Sequence, residues 1–165
     1  YTFTMNWLKI SVAGIIALYF FNIALHPTDW HFIDSVNLIF HEAGHPLMMV
    51  FGRFLHTAGG TIFQIGIPAL IAFYFWKREE LFSASLVLFW LGQSFINVSV
   101  YAGDAIVQNL PLLGGDNVNH DWTAMLSMLG ILKHTPLVAD ILFYIGFLIT
   151  LAAVYFSFIN SKKID

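Results

Sequence analysis

The sequence predicts an all-α membrane protein, built as a bundle of about five transmembrane helices. Apolar residues make up 58% of its 165 residues and charged residues only 10%, whereas a soluble domain carries roughly 25% charged residues. The apolar residues also form stretches that approach the ~20 residues needed to cross the hydrocarbon core of a bilayer. Because the composition is uniform, we interpret residues 1–165 as a single integral membrane domain.

The predicted spans follow one another with short polar breaks between them. Their approximate limits are residues 7–25, 32–51, 61–76, 81–104 and 136–158. Proline, aspartate and Trp30 make residues 26–31 typical of an interfacial loop. Residues 58–60 (AGG) are expected to end the region of the second span, and the charged run 77–80 (KREE) must lie in water. Residues 110–122 are both apolar and rich in glycine, which predicts a re-entrant loop.

Five crossings would put the two chain ends on opposite sides of the membrane. Residues 77–80 and the Lys162–Lys163 tail would then share one side, with four of the seven basic residues, and three would lie on the other. Since cytoplasmic segments carry an excess of Lys and Arg, this distribution favours a cytoplasmic C-terminus and an external N-terminus.

The composition also excludes several classes of function. The net charge is −3 with only seven Lys and Arg residues, which leaves no basic surface for nucleic acid. The sequence contains no cysteine, so disulfides, iron–sulfur clusters, thiolate metal sites and cysteine nucleophiles are excluded. The expected partners are therefore membrane lipids, together with a transmembrane peptide substrate or partner membrane subunits.

An H-E-x-x-H motif, His41-Glu42-Ala43-Gly44-His45, lies within the second span. Positions i and i+4 share one face of a helix, so both imidazoles can bind one metal ion. Glu42 is rotated about 100° from His41, beside the metal, where its carboxylate can accept a proton from water. Ionisable groups in mid-span are costly and usually functional. With no thiolate available, we expect Zn²⁺, whose catalytic sites need a third protein ligand.

Polar side chains recur along one face of the fourth span. They are Gln93, Asn97, Tyr101, Asp104 and Gln108. A polar stripe facing lipid is costly, so we expect it to face the bundle interior; hydrogen bonding between helices is the alternative reason for its Gln and Asn residues. Asn37 and Gln93 are expected to support the metal ligands by hydrogen bonds. Asp34 is either a further support or a water-facing group.

Two regions can supply the third metal ligand. Asp104 ends the polar stripe and is the first choice, although the helical rise puts it deeper in the membrane than His45. The segment 110–122 is the rival, because Gly114-Gly115 would let it fold back into the bundle. Its candidate ligands are Asp121 or His120, with Asp116 nearby.

These motifs together resemble those of the site-2 protease family of intramembrane zinc metalloproteases. That family has H-E-x-x-H on one span, Gly-x-x-x-Asn opening the next, and Asn-x-x-Pro…Leu-Asp-Gly on the span after that. The chain has the same order across about residues 35–105, with Gly60-Thr61-Ile62-Phe63-Gln64 as its second motif and Asn97–Asp104 as its third. It differs at Gln64 (Asn in the family), at Val100 (Pro) and around Asp104, which lacks the Leu-Asp-Gly context.

The resemblance implies a zinc metalloendopeptidase that hydrolyses peptide bonds of membrane-embedded substrates, with Glu42 as general base. Its zinc ligands would be His41, His45 and Asp104. Gln64 and Asn97 would hold an extended substrate backbone near the metal. Two alternatives remain open: a non-catalytic, protease-like structural subunit of a larger membrane complex, and a histidine-box di-iron membrane oxidase.

Overall fold

The chain forms an all-α bundle. Its structure, a computed structural model, describes residues 3–111, 113 and 119–164. The α-helices of these residues are α1 (Trp7–Leu25), α2 (Phe32–Met48), α3 (Arg53–Lys77), α4 (Leu81–Gly103), α5 (Asp121–Met128) and α6 (Thr135–Ile159). Four of them, α1, α3, α4 and α6, are long and apolar enough to cross a membrane. The prediction of an all-α, multi-pass membrane fold is confirmed.

The predicted limits hold for three spans and change for the other two. α1, α4 and α6 agree with the predicted spans to within one residue. α3 begins at Arg53, eight residues earlier than predicted, so residues 58–60 continue a helix instead of ending one. α2 and the 3-10 turn Met49–Phe51 cover the predicted second span. However, α2 has only 17 residues and is not among the helices long enough to cross.

Small residues explain why α3 extends through residues 58–60. Gly44 of α2 lies directly against Gly59 of α3, and a Cβ atom on either glycine would lie within 3.0 Å of the other's backbone. Gly92 of α4 and Gly146 of α6 make an equivalent close contact. Such contacts let helix backbones approach closely, which is how helices associate in lipid. The AGG sequence is therefore a packing surface of a helix, although glycine commonly ends one.

α1 and α2 both run parallel to α4. For α1, the contacts pair Lys9 with Phe82 and Phe20 with Phe89, so both numbers rise together. α2 packs antiparallel to α3, since His41 lies at Gly60 and His45 at His56, and α3 in turn is antiparallel to α4, to which it is joined by a short turn. α2 therefore continues in the direction of α1 and does not return across the bundle. It begins beside Gln93, about 18 Å along α4 at the usual helical rise. The H-E-x-x-H motif therefore lies at the far end of the bundle.

Both described chain ends lie at the opposite end of the bundle from this motif. Strand β1 (Phe3–Met5) pairs antiparallel with strand β2 (Lys162–Ile164), and this pairing puts the N- and C-terminal segments on one side. The expectation of ends on opposite sides is wrong, because α1 and α2 together make one passage in place of two. Much of the predicted re-entrant loop, including Asp116, lies outside the described residues; its last residues, Asp121 and Trp122, begin α5.

Candidate metal centre

Three side chains form the candidate metal centre. His41 and His45 extend from the same face of α2, and Asp121 is the first residue of α5. Their ligand atoms lie within 4.8 Å of one another. The Nε2 atoms of His41 and His45 are 3.2 Å and 3.3 Å from the Oδ2 atom of Asp121. Within the described residues, this is the group of three His, Asp or Glu side chains that could hold a metal ion.

The hydrogen bonds of the two imidazoles determine which ring nitrogen carries the hydrogen. The Nδ1 atom of His45 is 3.0 Å from the backbone oxygen of His56. Since a backbone oxygen can only accept, this Nδ1 donates, and the Nε2 of the neutral ring has a lone pair. The Nδ1 atom of His41 is likewise 3.0 Å from the Oε1 atom of Gln64, and it donates to that oxygen.

This donor set fits a metal cation. The Nε2 lone pairs of His41 and His45 and a carboxylate oxygen of Asp121 face the same point, which we call the metal point. A cation there would bind all three groups at once. Histidine ligands commonly donate their other ring N–H to a carbonyl or carboxylate oxygen, and both rings do so here. Two histidines and one carboxylate also match a common ligand set of catalytic zinc, which leaves a position open for water. The site residues therefore fit Zn²⁺.

Tyr101 holds Asp121 at two points. Its hydroxyl donates to the Oδ2 atom of Asp121 over 3.3 Å and accepts the backbone N–H of Asp121 over 3.2 Å. Burial alone would raise the pKa of Asp121, but the adjacent imidazoles of His41 and His45 outweigh burial and lower this pKa to about 2. The carboxylate is thus held as an anion at the point where the two histidines meet.

Asp104, the first-choice third ligand, does not join the two histidines. It is the C-cap of α4, and its carboxylate accepts the backbone N–H groups of Asn109 and Leu110 over 2.8 Å and 2.9 Å. The chain turns away after Gly103, so the carboxylate is directed into this turn. The rival residue Asp121 takes the place expected for Asp104.

His120, the other rival ligand, also lies outside the cluster. Its Nε2 atom is 3.5 Å from the Oδ2 atom of Asp104, and its Nδ1 atom accepts the backbone N–H of Thr123. Burial lowers the pKa of His120, which favours the neutral ring. His120 thus caps the first turn of α5 through Thr123 and is not part of the cluster of three ligands.

The predicted substrate-binding residues, Gln64 and Asn97, lie behind His41. The Nε2 atom of Gln64 donates to the Oδ1 atom of Asn97 over 2.7 Å, while its Oε1 atom faces His41. The side-chain amides of Gln64 and Asn97 are thus both occupied by hydrogen bonds within the protein. This argues against the substrate-binding role that the resemblance implies for these two residues.

Asn37 and Gln93 belong to the same buried region but do not contact the histidines. The Nδ2 atom of Asn37 donates to the Oε1 atom of Gln93 over 2.6 Å, and Gln93 in turn donates to Asp34. Asp34 is 4% exposed, so its interpretation as a water-facing group is wrong. The polar stripe faces the interior as predicted as far as Asp104, and Gln108 lies in the exposed turn beyond α4.

Glu42 occupies a different position from the three ligands. It lies between the two histidines in sequence, and its side chain is exposed at the open face of α2. On that face Ile39, one turn before Glu42, and Met49, two turns after it, are 68% and 60% exposed. The Glu42 carboxylate is therefore accessible from this exposed side of the helix.

Sequence reasoning missed three contributions to the site. Tyr101 was recognised only as part of the polar stripe, although its position one turn before Asp104 places it level with His41. The backbone oxygen of His56 binds His45 and leaves no signal in the side-chain pattern. Gly60 lies beneath the ring of His41, and the Gly-Gly pair at 59–60 was the only sign of that contact.

Comparisons of the chain with protein-family models, with curated proteins and with solved structures gave no match. Interpretation of the site therefore rests on its own geometry.

Proposed function

We propose that the protein is a zinc-dependent hydrolase of peptide bonds in membrane-embedded segments. The observation that carries the proposal is the convergence of His41, His45 and Asp121 on one point, together with the exposed side chain of Glu42 next to His41 in the chain. A purely structural metal site needs the three ligands and a fourth, but it does not need a neighbouring carboxylate that remains exposed. This argues for an enzyme over a non-catalytic subunit.

The chemistry divides between the metal and the protein. When bound, a zinc ion polarises the scissile carbonyl and lowers the pKa of water. Glu42 accepts the proton that the attacking water loses as its oxygen bonds to the carbonyl carbon, and then delivers that proton to the amine nitrogen as the C–N bond breaks. Tyr101 keeps the Asp121 carboxylate in place. Gln64 keeps the His41 ring oriented.

The open face of α2 supports a membrane-embedded substrate. Ile39, Pro46 and Met49 are exposed on the same face as Glu42, so the carboxylate lies within an apolar surface. A segment that lies along this surface would bring its backbone to Glu42 with its apolar side chains in an apolar environment. The di-iron oxidase alternative is less well supported, because within the described residues the cluster supplies ligands for a single ion.

Replacing Glu42 by Gln should separate catalysis from metal binding. We expect Glu42→Gln to keep stoichiometric zinc, because Glu42 is not a ligand, and to reduce cleavage by about 10²–10⁴-fold, the usual contribution of a general base. Membranes from cells that express each protein would be compared by mass spectrometry for new peptide N-termini. His45→Ala is the matched control and should lose both zinc and cleavage. Equal cleavage by Glu42→Gln and the wild type would contradict the proposed role.

The distribution of basic residues supports cytoplasmic chain ends. Five of the seven Lys and Arg residues (Lys9, Lys77, Arg78, Lys162 and Lys163) lie at the end of the bundle where β1 and β2 pair, and two lie at the other end. We infer from the positive-inside rule that both ends face the cytoplasm.

Single cysteines can test this orientation, because residues 1–165 contain none. Lys133→Cys, in the exposed turn before α6, should react with a membrane-impermeant maleimide on intact cells. Lys162→Cys should react only after the cells are opened. The reverse pattern would place the metal centre at the cytoplasmic end of the bundle.

A further inference from the structure

A buried carboxylate lies at the end of a hydrogen-bonded chain that begins at His41. The Nδ1 atom of His41 bonds to the Oε1 atom of Gln64 over 3.0 Å, and the Nε2 atom of Gln64 bonds to the Oδ1 atom of Asn97 over 2.7 Å. The Nδ2 atom of Asn97 then donates to the Oδ1 atom of Asp34 over 2.9 Å. Three helices contribute to this chain, which joins the start of α2 to its metal-binding turn.

Every hydrogen bond in the chain points towards Asp34. The carboxylate accepts hydrogen bonds from Asn97, from Gln93 and from the backbone N–H of His31, the pattern of an ionised acid, which can only accept. Asn97 must therefore direct its NH₂ group to Asp34 and its oxygen to Gln64. Gln64 must then present its own oxygen to His41, which leaves Nδ1 of the ring as the donor.

We propose that Asp34 is a positioning residue for the metal centre, acting on His41 through the amides of Asn97 and Gln64. The inference rests on the proposed metal site. A carboxylate bonded directly to a ligating histidine fixes its tautomer and raises its basicity; here two amides transmit the same influence. The charge of Asp34 thereby keeps the lone pair on Nε2 of His41, facing the metal.

Gln93 provides the comparison that isolates this effect. It donates to the same oxygen of Asp34 as Asn97 does, over 2.6 Å. Its other end leads away from the metal centre, to Asn37, whose Oδ1 atom accepts the indole N–H of Trp90. Asn97 and Gln93 thus lie one turn apart on α4 and share one partner. Only Asn97 connects that partner to His41.

The test compares zinc affinity in purified full-length protein, measured by competition with a chelator. Asp34→Asn removes the charge and keeps an oxygen acceptor, and Asn97→Leu breaks the connection and leaves the charge in place. We expect each variant to lose about 10-fold in affinity, the low end for loss of a group that supports a ligand. Gln93→Met should keep the wild-type affinity, although it removes two buried hydrogen bonds. Thermal unfolding of each variant would measure the cost to stability separately.

A spectroscopic measurement separates positioning of His41 from a general loosening of the site. In Co²⁺-substituted protein, the Nδ1 protons of His41 and His45 should give two shifted resonances in the proton NMR spectrum. Asp34→Asn should move the resonance of His41 and leave that of His45, which bonds to a backbone oxygen instead. If Asp34→Asn fails to fold, the pair Asn97→Leu and Gln93→Met decides the question.

Three results would overturn the proposal that Asp34 positions His41 through Asn97 and Gln64. One is unchanged affinity and an unchanged His41 resonance in Asp34→Asn or Asn97→Leu. A second is an equal loss of affinity in Gln93→Met, which would show that disruption of the buried region is sufficient. The third is a wild-type protein that binds no zinc. This result would overturn the proposed metal site and, with it, the positioning role of Asp34, so it can be distinguished from the other two.

Discussion

Asp121→Asn is expected to abolish stoichiometric zinc binding, whereas Asp104→Asn should leave it largely intact. The Asp121 carboxylate is the only anionic member of the cluster, and its Oδ2 atom lies within 3.3 Å of both imidazole Nε2 atoms. Replacing it by a neutral amide removes a ligand and its charge together. The loss of affinity should exceed the 10–100-fold that follows from losing a group that merely supports a ligand.

Asp104 acts on the same centre only through the turn after α4. Asp104→Asn weakens its bonds to Asn109 and Leu110 and its contact with His120, so an affinity loss of about 10-fold is expected from displacement of α5. Elemental mass spectrometry of the purified, detergent-solubilised protein would count metal ions per chain, and chelator competition would measure affinity. Zinc retained by Asp121→Asn and lost by Asp104→Asn would restore the ligand set implied by the resemblance to site-2 proteases.

The difference between these two aspartates shows which part of a metal site can be predicted from sequence. His41 and His45 are joined by a single helical turn, so local spacing suffices to place them on one face. The third ligand depends on where the chain goes after α4 ends. That course is determined by the capping of the turn by Asp104 and by the hydrogen bond that the backbone N–H of Asp121 donates to the Tyr101 hydroxyl. Neither contact follows from residue spacing.

The fold shows a similar division. Composition and apolar length identify α1, α4 and α6, because a helix that crosses a bilayer must satisfy both requirements. The direction of α2 could not be predicted, since residues 26–31 have the composition of an ordinary loop whether the chain turns back or continues. Likewise, Gly59 was expected to end a helix. Its contact with Gly44 is a property of two packed helices and leaves no signal in either one alone.

Gly60→Ala is expected to weaken zinc binding strongly while the bundle still forms. A Cβ atom on Gly60 would lie 2.6 Å from the Cδ2 atom and 2.7 Å from the Cε1 atom of the His41 ring, so the ring must move. His41 is held on one side by Gln64 and on the other by Asp121. Any movement therefore breaks the hydrogen bond that fixes its tautomer or withdraws its Nε2 atom from the metal point. We expect a loss of affinity of about 100-fold.

Gly66→Ala is the matched control for this substitution. Gly66 lies on the same helix, α3, and an added Cβ atom there would meet nothing within 4 Å. Alanine favours a helix over glycine by about 1 kcal/mol, so Gly66→Ala should keep full zinc affinity and lose no thermal stability. Chelator competition and thermal unfolding of both variants would make the comparison. If Gly60→Ala bound zinc as tightly as Gly66→Ala, the ring of His41 could not lie against α3 in the metal-bound protein, and His41 would have to bind metal from a different orientation.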